Sequence, residues 1–193
     1  MQKHSLLNWK RKMMCVFFYY LEIFSVKSGW VHRLYMRWIG DIFVDEFHMA
    51  RVTAQDKVLH IGCGPLPTMS VLAAKETQSK IVAIDINRNA LQHAKHYIAK
   101  QHLSDTINVV YGDGTTYPVN SFDVIFIATN VTPVEGVFRN LTIGAKSQAR
   151  IVCRDLGHGV AHLLQNQEFS PYFSIKQTQS HQKSSSLLII KKG

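Results

Sequence analysis

The 193-residue chain has few cysteines, few acidic residues and no long apolar run. Its three cysteines, Cys15, Cys63 and Cys153, are odd in number and far apart, so they suggest neither a disulfide framework nor a zinc site. We therefore expect a reducing compartment and no metal. The 13 acidic residues face 22 basic ones, and the formal charge of +9 favours anionic small molecules, nucleic acid or lipid. No recognisable nucleic-acid-binding module accompanies this charge, which argues against nucleic acid as a partner.

The longest apolar run near the start covers residues 13–21 and follows the basic residues Lys10, Arg11 and Lys12. About nine apolar residues cannot cross a bilayer, which needs about 20, and no small-residue cleavage pattern follows them. Two interpretations stay open: a helix whose aromatic face packs on the domain, or an interfacial helix lying on anionic membrane. We expect a cytoplasmic protein and leave open a peripheral contact of this helix with the inner membrane face or with another protein, including a homodimer.

The pattern of the chain changes at a polar break, residues 53–56. Before the break, apolar residues spaced by three and four from Trp30 to Val52 predict one or two amphipathic helices. After it, β-branched runs alternate with helical segments, which predicts an α/β fold: a Rossmann-like, doubly wound, mostly parallel sheet. We expect a helical region over residues 1–54 and a core over residues 55–193. The predicted strands are 57–61, 80–84, 107–111, 122–128 and 150–153, with helices at 68–75 and 87–101 and an antiparallel C-terminal strand pair at 173–178 and 185–191.

The segment VLHIGCGPLPTMS, residues 58–70, leads from a buried strand into a glycine turn. Gly62 and Gly64 lack side chains, so a ligand can approach the backbone there, and the next helix offers free N–H groups to a negative charge. Two prolines stiffen the turn and remove two N–H donors, which suits a carboxylate better than a pyrophosphate. The expected cofactor contacts in the turn are Gly62, Cys63, Gly64, Pro65, Leu66 and Pro67.

Polar side chains end the next three strands. Asp85 lies 23 positions after Gly62, where a carboxylate accepts hydrogen bonds from ribose hydroxyls, although an N-cap is the alternative. Ile86 beside it can lie against a flat base. Asp113 can accept from the exocyclic amine of adenine or simply close a turn. The expected nucleoside contacts are Asp85, Ile86, Asp113, Gly114, Thr129 and Asn130.

These residues resemble a class I S-adenosylmethionine-dependent transferase, and IGCGPLPTMS resembles the Gly-Pro-Leu-Pro turn of the nicotianamine synthase family. VFRNLTIGAKSQARIVCRDLGHGVAHLL resembles that family's late strand, and SHQKSSSLLIIKK its closing hairpin. The resemblance covers residues 55–192. It implies S-adenosylmethionine as cofactor and transfer of its aminocarboxypropyl group to a small amine or amino acid, with release of methylthioadenosine. The family's helical region is much larger than the one here, which leaves room for a different substrate.

The resemblance also implies an acidic residue in the helix before the core, near the incoming amine. Asp45 and Glu46 lie in that region, and Glu46 matches the family pattern best. Its carboxylate could hold the substrate ammonium and take its proton, or it could belong to a solvated helix face. Tyr35 and Tyr111 are further candidates for the catalytic site.

Two other functions remain compatible with the sequence. One is an ordinary methyltransferase acting on a small metabolite or a lipid, for which the basic, hydrophobic N-terminus speaks. The other is a non-catalytic cofactor-binding subunit whose aromatic helix docks on a partner. The by-product separates the two enzymes, because methyl transfer leaves S-adenosylhomocysteine and aminocarboxypropyl transfer leaves methylthioadenosine.

Overall fold

Two long helices precede the sheet. The computed structural model describes residues 2–155, 159–181 and 185–193, and the side chains from Met13 onwards except those of residues 14 and 15. Helix α1, Gln2–Lys27, and helix α2, Gly29–Ala50, are separated only by Ser28, whose backbone is extended. They fold back on each other, because Phe18 stacks on Trp38 with ring centroids 5.9 Å apart. The predicted N-terminal helical region is therefore a helical hairpin.

A seven-stranded sheet follows, and it confirms the expected fold class. The strand order is β3-β2-β1-β4-β5-β7-β6, with the first five strands parallel and β7 antiparallel to both of its neighbours. The strands are β1 Lys57–Ile61, β2 Lys80–Asp85, β3 Ile107–Tyr111, β4 Val124–Ile127, β5 Arg150–Asp155, β6 Phe173–Ser180 and β7 Ser185–Lys191. The remaining helices are α3 Thr68–Thr77, α4 Arg88–Lys100, α5 Val134–Gly144 and α6 Gly159–Gln165.

The central strands are buried on both faces, which explains their continuous β-branched runs. One core cluster joins Val58 and Ile81 to Ala73 of α3 and Leu91 of α4. The other joins the opposite face of the sheet to α5 and α6 through Leu59, Ile125, Phe138 and Leu164. The sheet is thus covered on both sides, as a doubly wound fold requires.

The predicted elements omit α5 and α6. Helix α5 buries Val137, Phe138 and Leu141, a three-to-four spacing that is short and interrupted by Gly136 and Asn140. Strand β4 is shorter than predicted, because Phe122 N–H bonds the carbonyl of Val119 in a turn before the strand begins. These differences leave the predicted topology unchanged.

The first helical hairpin packs on the core with only part of its apolar surface. Phe18 and Leu21 contact the core cluster, which accounts for one side of α1. The other side is open, and more than half of the surface is exposed at Met13, Val16, Phe17, Tyr20 and Phe24 of α1 and at Trp30, Leu34 and Trp38 of α2. No helix within the described residues is both long and apolar enough to cross a membrane. Contact of this face with a membrane or a partner stays a prediction.

Candidate active site

The glycine turn after β1 lies between the loop that follows β4 and helix α1. Gly62 and Gly64 have φ angles of +76° and +64°, a conformation that side chains disfavour. A Cβ on Gly62 would lie 2.5 Å from Cγ2 of Val131, in the loop after β4, and a Cβ on Gly64 would lie 2.8 Å from Oε2 of Glu22 on α1. The backbone angle favours glycine at both positions, and at Gly62 the close Val131 methyl group adds a steric reason.

The other residues of the turn pack into the protein interior. Cys63, Pro65, Leu66 and Pro67 are buried, while the two glycines keep part of their surface. Burial raises the pKa of the Cys63 thiol well above its usual range, so this thiol stays protonated. Six residues of this turn are predicted to contact a cofactor. In the structure only the two glycines among them are partly exposed, and the other four pack in the interior.

Asp85, at the end of β2, is tied to the turn. Its Oδ2 accepts a hydrogen bond from the Gly64 N–H at 2.9 Å, and its Oδ1 accepts one from the Asn87 N–H at 2.8 Å. The N-cap of α4 is Asn87, which accepts from the N–H groups of Asn89 and Ala90, so the alternative role for Asp85 is already filled. Each carboxylate oxygen has a second lone pair, and Asp85 can still accept from ribose hydroxyls.

The ends of β2 and β3 supply an apolar and aromatic surface next to Asp85. Ile86 is 60% exposed, and the half-exposed Tyr111 ring lies 4.4 Å from the guanidinium carbon of Arg88. Asp113 closes a turn, because its Oδ1 accepts from both the N–H and the hydroxyl of Thr115, which hold its pKa below the usual range. Its Oδ2 makes no hydrogen bond within the described residues and is available to a ligand.

Three predicted contacts lie at the ends of β3 and β4. A Cβ on Gly114 would meet Cγ2 of Ile61 at 2.5 Å, so this glycine is needed for packing between strand ends. Its carbonyl accepts from the Asn140 side chain. Thr129 is half-buried and Asn130 exposed, both just after β4. The strand ends meet as predicted, with Gly114 acting through packing.

Sequence reasoning missed an acidic residue that lies directly over the turn. Glu22 is half-buried on α1, and its Oε1 accepts a hydrogen bond from the Tyr35 hydroxyl at 3.2 Å. Desolvation raises the pKa of Glu22 to about 8; the Tyr35 hydrogen bond opposes the rise, and the negative charge of Asp85 adds to it. A carboxyl group that ionises near neutral pH therefore stands beside the Gly64 backbone. The signal was present, since Glu22 is the single acidic residue of α1 and interrupts its apolar run.

Glu46, the predicted catalytic acid, is engaged elsewhere. Its two oxygens accept from Nε and Nη2 of Arg154 at 2.9 and 2.8 Å, and Oε1 also accepts from the Ser186 hydroxyl at 2.7 Å. Such a buried ion pair cannot take a proton from a substrate without breaking. The acid beside the turn is therefore Glu22 and not Glu46, and the Tyr35 hydroxyl donates to it.

The parallel sheet, the turn after β1 and the acid that ends β2 define the methyltransferase fold. Within the chain, residues 58–143 match the family model described as a methyltransferase domain. Sterol 24-C-methyltransferase of Pneumocystis carinii (strain B80) is 35% identical over 100 residues, which is 48% of this chain and 26% of that protein. The chain thus spans about a quarter of the length of that relative.

Solved structures agree on the fold. A mutant of MtNAS, a nicotianamine synthase, superposes with a TM-score of 0.81 over 100% of this chain and 78% of that one, at 21% identity. An RNA methyltransferase from Salinibacter ruber, solved with S-adenosyl-L-homocysteine, gives a TM-score of 0.64 over 78% of this chain and 90% of that one, at 14% identity. At these identities the likeness establishes the fold alone.

Proposed function

We propose that this protein is an S-adenosylmethionine-dependent transferase that passes an aminocarboxypropyl group to a small amine or amino acid. The observation that carries the proposal is the Glu22–Tyr35 pair beside Gly64. A carboxyl group with a pKa of about 8 is, once ionised, a base strong enough to take a proton from an ammonium group. The proposed transfer needs such a base, because an ammonium group has no lone pair with which to attack.

The expected cofactor, S-adenosylmethionine, is confirmed by the methyltransferase-domain match and by solved structures of this fold that hold it or its demethylated product. The residues present fit it: Gly62 and Gly64 leave the backbone open, Asp85 keeps lone pairs for hydroxyls, and Ile86 offers an exposed apolar surface. When bound, the cofactor supplies a sulfonium whose three adjacent carbons are all electrophilic, so the position of the acceptor decides which one reacts.

In the proposed reaction, one side chain accepts the proton and another positions it. Glu22 accepts the proton of the acceptor ammonium once its carboxyl is ionised, and the Tyr35 hydroxyl holds Oε1 in place. Helix α1 covers the turn at this point, which keeps water away and accounts for the desolvation of Glu22.

Methyl transfer is the second candidate. It is favoured by the sequence likeness to a sterol methyltransferase, 35% identical over 100 residues. The Glu22–Tyr35 pair speaks for the first candidate, since a base beside the turn has no evident use if the acceptor is already a free nucleophile.

The by-product decides between the two reactions. The purified protein is incubated with S-adenosylmethionine and single acceptors, namely histidine, glutamate, aspartate and simple amines, and the nucleosides are identified by mass spectrometry. Acceptor-dependent methylthioadenosine, above the spontaneous breakdown measured without acceptor, supports aminocarboxypropyl transfer. Acceptor-dependent S-adenosylhomocysteine would contradict it and establish a methyltransferase. Binding of the cofactor without turnover on any acceptor would favour the partner-subunit hypothesis.

Asp85→Asn is expected to weaken binding of S-adenosylhomocysteine by about tenfold or more, because one oxygen that accepts from the turn and from a ribose hydroxyl becomes a donor. The measurement is isothermal titration calorimetry. Asp105→Asn, an exposed acid on the opposite end of the sheet, is the matched control and should bind like the wild type. Equal affinity of the two variants would contradict a ribose contact at Asp85.

The pH dependence reports on the Glu22–Tyr35 pair. Because the Glu22 pKa is about 8 and the base form is the ionised one, kcat/KM should rise with pH and level off above about pH 8. Tyr35→Phe removes a hydrogen bond that lowers this pKa, so the rise should move by about one pH unit to higher pH. Tyr20→Phe, on the exposed face of α1, should leave the profile unchanged. A Tyr35→Phe profile that superposes on the wild type would argue against the pair.

A further inference from the structure

Arg154 lies at the carboxyl end of β5, on the same edge of the sheet as the glycine turn. An arginine side chain carries five N–H donors in a planar fork. Glu46 uses two of them, one on Nε and one on Nη2. Within the described residues the guanidinium makes no other hydrogen bond, and its side chain keeps 15% of its surface exposed. The edge formed by Nη1 and Nη2 is therefore left with donors that no described residue uses.

Two groups fix the plane of this guanidinium, and a third fixes one of those two. Glu46 of α2 holds one edge, Ser186 of β7 holds Glu46, and the ring of Phe43 lies under the guanidinium carbon at 5.0 Å. Desolvating such a pair costs about as much as the pair regains, so it adds little stability over a well-packed apolar pair. What the arrangement does provide is orientation, because a fork held this way points its free edge in one direction.

Arg154 and the proposed base are connected through α2, because Arg154 donates to Glu46 and Glu22 accepts from Tyr35 on that helix. Tyr35 and Glu46 lie on the same face of α2, since eleven residues in a helix return to almost the same direction. The positive charge of Arg154 also lowers the pKa of both Glu22 and Tyr35, which requires that it lie close to them. A ligand that places a positive amine at Glu22 is therefore also exposed to the positive charge of Arg154 at the end of β5.

We propose that the outer edge of Arg154 binds a carboxylate during the reaction. This rests on the proposed function, and it narrows the substrate class. If the carboxylate belongs to the acceptor, the acceptor is an amino acid held by both of its charges, and a simple amine is excluded. The same chemistry could come from the carboxylate of the cofactor's own aminocarboxypropyl arm, and the two sources are separated by experiment.

The test compares ligands that differ only in one carboxylate. Histidine is titrated against histamine, and glutamate against 4-aminobutyrate, into protein saturated with methylthioadenosine. In a second arm, S-adenosylmethionine is titrated against its decarboxylated form. A bidentate arginine contact is expected to favour the carboxylate-bearing member of a pair by about tenfold or more. A preference in the first arm assigns the site to the acceptor, and a preference in the second alone assigns it to the cofactor.

The variant must remove the fork without leaving a buried charge behind. The double variant Arg154→Met with Glu46→Met does so, because replacing both members of a buried pair with apolar residues is tolerated far better than replacing one. It should lose the preference for the carboxylate. Arg154→Lys, which keeps the charge but not the fork, should lose most of it and serves if the double variant does not fold. Arg139→Met, an exposed arginine on α5, is the control and should keep it.

The outcomes separate this site from the proposed reaction. No preference for the carboxylate in either arm with the wild type, or a preference that survives in both Arg154 variants, would overturn the site. A preserved preference in the wild type together with S-adenosylhomocysteine as the by-product would retire aminocarboxypropyl transfer and leave the carboxylate site standing. Binding is measured without turnover, so an inactive preparation does not obscure the result.

Discussion

Glu22→Gln is expected to lower kcat/KM for methylthioadenosine release by about 10²–10⁴-fold, the range that a positioned general base contributes. Glutamine has nearly the same shape and can still accept from the Tyr35 hydroxyl, so the helix and the turn keep their contacts. What is lost is the carboxylate of α1 that lies over Gly64, whereas Asp85 on the other side of the turn is unchanged. The effect is measured as initial rates at pH 8, where the wild-type base is half ionised.

The same substitution should leave the fold intact. Burial of Glu22 is unfavourable to its charged form, which is why its pKa is raised, and a neutral side chain removes that penalty. The melting temperature of Glu22→Gln should therefore equal or exceed that of the wild type at pH 8. Glu76→Gln, an exposed acid on α3, is the matched control for rate. A Glu22→Gln enzyme that turns over at the wild-type rate would remove Glu22 from the mechanism.

Glu46→Ala is expected to lower the free energy of unfolding by about 3–5 kcal/mol, the cost of leaving a buried charge without its partner. Glu46 and Arg154 retain 7% and 15% of their side-chain surface, so the arginine charge left behind is mostly shielded from water. The Ser186 hydroxyl loses its acceptor at the same time. The quantity is obtained from urea denaturation at equilibrium.

Asp45→Ala, on the same helix one residue earlier, is the matched control, and we expect it to unfold within about 0.5 kcal/mol of the wild type. The double variant Glu46→Met with Arg154→Met should recover most of the loss, because it removes both charges. A Glu46→Ala protein as stable as Asp45→Ala would mean that the ion pair is not maintained in solution. The two glutamates are thus distinguishable. Glu22→Gln should lower the rate and leave stability intact, whereas Glu46→Ala should lower stability.

The sheet and its functional edge could be predicted from the sequence because the information is local. Each parallel strand is a short β-branched run, and β1 leads directly into a turn that needs glycine at two positions. The order of the strand ends then follows from right-handed crossovers, which brings Asp85 to the turn. Helices α5 and α6 escaped the periodicity, because α5 is short and broken by a glycine and an asparagine and α6 has only seven residues.

The proposed catalytic acid could not be predicted in the same way, because its surroundings depend on contacts across the chain. Glu22 precedes Gly64 by 42 positions, and nothing in its neighbours reveals that α1 lies over the turn. Glu46 was the more attractive choice because it lies just before the core, but its partner Arg154 is 108 positions away. Whether a carboxylate serves catalysis or structure depends on the group that it contacts. That contact forms only in the folded chain and is not visible in the local sequence.

The position of Glu22 on α1 has a consequence for how such a protein can acquire a new reaction. The cofactor-facing groups belong to the sheet, whereas the acid belongs to a helix that joins the next one through a single extended residue, Ser28. The proposed base and the proposed cofactor contacts are therefore encoded in separate pieces of the chain. Exchange of the first helix alone would replace the proposed base while Asp85 and the two turn glycines stayed in place, so a change of reaction would not require new strand ends.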